Sequence, residues 1–202
     1  MPVAERTKLT ELELLTTLRE AAQRRDWNGC HDATEALLAR LPVPTMLRLA
    51  HAEVKRRLPL FERHHPNMHW PRVWLDALAS GAPFTFDEST PEVLEEAPGP
   101  GGNNFAESVR QLALAAAATG EPQITHVREA ISGAIMAEMA ETGGSAHREL
   151  WDLWFQDGLT GEASLYPDAM VKVMNDPKVV AVDLAAWNRL ADELAAALGV
   201  TG

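Results

Sequence analysis

Apolar residues recur at steps of three and four along almost the whole chain, and no stretch alternates apolar and polar residues between turn signals. That periodicity predicts an all-α, multi-helix bundle. The first helix starts at Thr10, whose hydroxyl forms a capping-box pattern with Glu13, and carries Leu14, Leu15, Leu18 and Ala22 on one face to about Arg25. Asp26 or Asn28 caps a second helix through Cys30, Ala33, Leu37 and Leu41, which Pro42 and Pro44 stop. Thr45 caps a third, through Met46, Ala50 and Val54 to about Leu58. Pro59 then admits a short helix that ends before Pro66. Trp70 and Pro71 open the next helix, which carries Val73, Trp74, Ala77 and Leu78 and closes at Gly81.

From Ala82 to Asn104 the character changes to proline, glycine and acid, with one short helix from Pro91 to Glu96 that Ser89 caps. The shift divides the chain into helical halves, 1–97 and 105–202, joined at 98–104 and packed either separately or as one domain. In the second half Phe105, Val109, Leu112 and Ala116 mark one helix. Val127, Ile131, Ile135 and Met139 mark another, whose Gly133 points to a close approach between helices. The glycines at 143 and 144 then predict a break, with Ser145 capping a helix that bears Leu150, Trp151, Trp154 and Phe155 to Gly158. Tyr166 and Pro167 introduce a short helix to Met174. Asp183 caps the last helix, where Leu184, Trp187, Ala191, Leu194 and Leu198 precede Gly199 in a spacing suited to packing along another helix, one from a second copy included.

Residues 25–42 resemble the second helix of a tetratricopeptide repeat, with Asp26, Trp27, Ala33, Leu38 and Pro42 in comparable places. The preceding helix has Leu14, Thr17, Leu18 and Ala21 where the repeat has aromatic and glycine positions. No second copy follows about 34 residues on, and a helical hairpin explains the same residues.

Composition narrows the setting. An apolar content of 46% over 202 residues closes a core without staples. The single cysteine, Cys30, excludes an intrachain disulfide or a multi-cysteine metal site and implies a reducing, cytoplasmic location. The opening "MPVAERTKLT" has no apolar h-region, and no run approaches the roughly 18–20 apolar residues of a bilayer span, so a soluble protein without a membrane partner is expected. A net charge of −11 disfavours nucleic acid.

Against that charge, one segment stands out. Between Arg48 and Arg72 lie six Lys or Arg (Arg48, Lys55, Arg56, Arg57, Arg63, Arg72), two acids (Glu53, Glu62) and four of the seven histidines (His51, His64, His65, His69). Glu62, His64, His65 and His69 offer imidazole and carboxylate to one divalent transition metal across the turn at Pro66. Arg56, Arg57, Arg63 and Arg72, with Trp70 and Trp74, offer an anion- or partner-binding face. The counter-reading pairs these cations with Asp87, Glu88, Glu92, Glu95 and Glu96 of the chain itself.

No enzymatic template is complete. His31-Asp32 repeats the dyad of the HD phosphohydrolases, but that family needs another histidine upstream, and His31 is the first in the chain. Cys30 sits on an apolar stripe, with His31 about 100° round the helix from it. The leading expectation is a non-catalytic helical module that binds another protein, as an adaptor, regulator or immunity-type inhibitor, and can self-associate. The alternatives are a metal-dependent enzyme or metal sensor at Glu62, His64, His65 and His69, and an anion- or nucleic-acid-binding module at 48–72.

Overall fold

The computed structural model describes residues 9–81, 99–149 and 167–200, the side chains of 167–170 excepted. Helix α1 (Glu11–Arg24) opens on the expected reciprocal cap. Thr10 Oγ1 accepts the Glu13 N–H at 3.2 Å, and the Glu13 carboxylate accepts the Thr10 N–H at 2.7 Å. Arg25 takes a left-handed C-cap, φ 56°, which turns the chain into α2 (Trp27–Leu38). There Asp26 accepts the Gly29 N–H at 3.0 Å.

Helix α3 (Val43–Lys55) starts ahead of the expected Thr45 cap. Pro42 is its N-cap and Pro44 falls in the first turn, where a missing N–H costs no helical hydrogen bond. Pro59 and Pro71 occupy the same place in α4 (Leu58–His64) and α5 (Trp70–Ser80), and left-handed Gly81 ends α5.

The most extensive helix pair is α6 (Gly102–Ala117) with α7 (Glu121–Ala146). Helix α6 begins within 98–104 rather than after it. Its entry is Gly101, at φ 78°, where any Cβ would collide with the Ala137 carbonyl of α7. Midway along, a Cβ on Gly133 would stand 3.1 Å from Ser108 Cβ, so the close approach expected at this glycine is present. Helix α7 continues through Gly143 and Gly144, correcting the expected break and the Ser145 cap. Both glycines are buried, and Gly143 lies beneath Val173 and Val179, so packing outweighs their poor helix propensity.

Helix α8 (Pro167–Met174) has the expected bounds, whereas α9 (Pro177–Leu198) starts well before Asp183. Its cap is Asp176, which accepts the Lys178 N–H at 2.8 Å beside Pro177. Asp183 is 1% exposed on the buried face of α9.

One continuous cluster of buried apolar side chains runs from Leu14 to Leu194. It joins Phe61, Trp70 and Trp74 to Phe105, Ile131, Ile135 and Trp187. Helix α7 is its axis and packs against α2, α3, α6, α8 and α9. Among the described residues there is no strand, and no helix is long and apolar enough to cross a membrane. The expected helix at 91–96, the acids Asp87, Glu88, Glu92, Glu95 and Glu96, and Trp151 and Trp154 lie outside the described residues.

Candidate functional site

The basic, histidine-bearing segment does not assemble into one site. Glu62 receives Arg72 in a fork, Nε to Oε1 and Nη2 to Oε2 both at 2.5 Å, and this guanidinium holds its carboxyl below the ordinary carboxylate value. His64 turns away, its Nε2 3.6 Å from Glu141 on α7. The His65 ring lies 4.7 Å from that of Phe61, and burial lowers its pKa. His69 is exposed at the N-cap of α5. The four do not converge, and among the described residues no group of three or more His, Cys, Asp or Glu is placed to hold a metal ion. The space beneath His64 and His65 is about 20 Å³, room for a single water.

The cations are largely spent on the protein's own acids. Arg56 pairs with Glu193 and lies 3.2 Å from Glu53. Arg57 pairs with Glu138, Lys55 lies 3.2 Å from Asp76, and Arg63 stays exposed. Trp70 and Trp74 are 7% and 8% exposed, with rings 4.7 Å apart, so both belong to the core and not to a recognition face. Intramolecular neutralisation, the counter-reading for this segment, is present among the described residues, where the acids that provide it come from α3, α4, α5, α7 and α9, while Asp87, Glu88, Glu92, Glu95 and Glu96 lie outside them.

A different place has the geometry of a binding site. Helices α2, α6, α7 and α8 border an open cleft of about 570 Å³, lined by Trp27, His31, Glu107, Glu129, Ser132 and Met136 among others. That volume lies within the usual range for ligand pockets, about 300–1,000 Å³. Helical spacing builds it. Trp27 and His31 are one turn apart on α2; Asn104, Glu107 and Gln111 share a stripe of α6; Glu129, Ser132, Gly133 and Met136 share one of α7. The bare Gly133 lets α6 and α7 approach closely beside it.

Behind the cleft the aromatic rings stack edge to face. Trp27 stands 5.5 Å from Trp187 and 5.8 Å from His31, at 82° and 81°. Arg128 organises the rim, with Nη2 2.7 Å from Glu129, Nε 2.9 Å from Glu35 and Nη1 3.1 Å from His31 Nδ1. A guanidinium only donates, so His31 accepts at Nδ1 and carries its proton on Nε2. Burial, then the Arg128 charge, lowers the His31 pKa and so favours the neutral ring. Among the described residues, His31 Nε2 and Ser132 Oγ are both buried without a hydrogen-bond partner. On the opposite wall His126 Nδ1 contacts Gln111 Oε1 at 2.7 Å, and Gln111 donates to Glu107 at 2.7 Å, which fixes that carboxylate.

Beneath the rings sits Asp183. Burial pushes its carboxyl above the ordinary carboxylate value, against the pull of Arg25, 3.5 Å away, and of the Trp187 and Trp27 indoles. Burial, with Asp183 second, also pushes the Cys30 thiol up to about 12. A carboxyl raised on folding holds its proton more tightly folded than unfolded. Its contribution to stability is therefore complete below about pH 4 and is lost as the pH rises through the raised value. Asp183→Asn is expected to remove that part of the pH dependence and to melt at pH 7 no lower than the parent. Melting temperatures from pH 4 to 7 check this, with a residual slope from Glu141, also raised by burial. A large loss at pH 7 would show that the Arg25 pairing outweighs desolvation.

No family model matches the chain, and neither a curated protein nor a solved structure shows significant similarity to it.

Proposed function

We propose that the protein is a non-catalytic helical interaction module that recognises a segment of another protein at the cleft between α2, α6, α7 and α8. The observation that carries this reading is the cleft's unfinished chemistry: aromatic and thioether walls beside buried polar atoms that no described group of the chain satisfies. Leaving such atoms unpaired costs stability, and a ligand that pairs them recovers it. The groups nearest to catalytic types do not favour chemistry here. Cys30 is 1% exposed with a strongly raised thiol, and His31 is committed to Arg128.

The test is a peptide array probed with the full chain, its Met136→Trp variant and its Arg63→Ser variant. Met136 is partly buried on the cleft wall, so an indole there fills the space. Peptides captured by the parent are expected to bind Met136→Trp at least about tenfold more weakly, the effect of losing an interface anchor, and Arg63→Ser as well as the parent. Capture that survives Met136→Trp and fails with Arg63→Ser would return the function to the basic segment.

A further inference from the structure

The chemistry of the cleft also specifies what enters it. Resting on the reading above, we propose that it takes a basic side chain of the partner, arginine in preference to lysine. Among the described lining residues the charged groups are Glu107 and Glu129, with no Lys or Arg. Their side chains are 49% and 44% exposed, so they remain hydrated enough to stay ionised and near enough to the surface to meet a ligand.

Each carboxylate already holds one arginine, Arg110 on Glu107 Oε2 at 3.0 Å and Arg128 on Glu129 Oε1 at 2.7 Å. A carboxylate accepts about four hydrogen bonds, so both keep capacity for a second guanidinium. The rest of the wall suits the stem of a basic side chain rather than its head. Trp27, Met136 and Met174 are partly buried and present ring and thioether surface along which methylenes can lie.

An indole beside two carboxylates favours a flat cation, because guanidinium stacks on the ring while donating in a fork to an acid. The two unsatisfied atoms fit the same ligand. Ser132 Oγ can accept a guanidinium N–H, and the Nε2–H of His31 can donate to a carbonyl of the incoming backbone. The net charge of −11 adds a long-range field that draws a cationic segment in and repels an anionic one.

Three blocked heptapeptides test this on the full chain, with arginine, citrulline or norleucine at the centre of an otherwise Gly/Ser sequence, followed through the protein's amide NMR shifts. Citrulline keeps the shape of arginine and removes the charge. The arginine peptide is expected to shift amides of α2, α6 and α7 around the cleft and to bind at least about fivefold more tightly than the citrulline peptide at low salt, with the gap closing as salt screens it. In the Glu107→Gln/Glu129→Gln variant the two should bind alike. Equal binding of arginine and citrulline at the cleft would overturn the choice of a cation and leave the binding site standing. Shifts confined to other surfaces, or none from any peptide, would overturn both.

Discussion

Truncating Trp187 to alanine is expected to lower the unfolding free energy by about 3–5 kcal/mol, the range for removing a buried tryptophan. Trp187 is 1% exposed and stands against Trp27 at 5.5 Å and His31 at 6.0 Å, so its loss opens a void under the cleft as well as removing apolar contact. A loss of that size is a large share of the roughly 5–15 kcal/mol that holds a typical domain together. Trp187→Phe keeps a ring in the space and should cost about 1–2 kcal/mol, closer to a volume-conserving exchange. Denaturant unfolding reads both, as a lower midpoint with an unchanged slope. If the alanine variant costs under 1 kcal/mol, the residue does not carry the packing assigned to it.

Glu53→Ala is expected to cost about 3 kcal/mol, the lower end of the range for removing one partner of a buried ion pair. Glu53 is 0% exposed; its Oε1 accepts Arg189 Nη2 at 2.5 Å and its Oε2 lies 3.2 Å from Arg56 Nη1. Arg189 reaches on to Glu138 at 3.6 Å, and Glu138 pairs with Arg57, so one carboxylate of α3 ties together charges on α7 and α9. The side chains of Arg189 and Arg56 are 30% and 35% exposed, which lets them rehydrate and moderates the loss. Replacing Glu53 and Arg189 together by methionine should cost less than Glu53→Ala alone, because no unpaired charge is left behind. A double variant as unstable as the sum of the two single ones would contradict the network.

The residues that were legible in the sequence are those whose partners are close along the chain. Thr10 with Glu13, Asp26 with Gly29, and Gly81 after α5 each express a cap within a few positions; Thr10 and Gly81 stand where the pattern predicts, and of the two caps it offers α2, Asp26 and Asn28, Asp26 is the one used. Gly133 was legible because an interior glycine in a strongly apolar helix needs a packing reason. The Asp183 cap misled for a related cause. An acid before an apolar run resembles an N-cap, yet Asp176 followed by Pro177 is the stronger start, and it frees Asp183 to be buried. The basic segment was visible as composition, but its pairing was not. Arg57 meets Glu138 and Arg56 meets Glu193 across separations of 81 and 137 residues, which no local pattern encodes.

The cleft was hidden for the same reason. Its stripes at 104, 107 and 111 and at 129, 132 and 136, polar but for Met136, look like ordinary half-solvated helix faces until α2 brings Trp27 and His31 opposite them. The one available signal was a polar stripe running past a glycine at a close helix crossing, where two solvated faces have no room to be solvated separately.

The central claim is that recognition occurs at this cleft and not at the basic segment, and amide hydrogen exchange tests it most directly. Exchange is measured on the full chain with and without a saturating arginine-bearing peptide. The expected result is slowed exchange over residues 27–31, 104–111 and 129–136, with 56–72 unchanged. Protection over 56–72 with the cleft helices unchanged would contradict it.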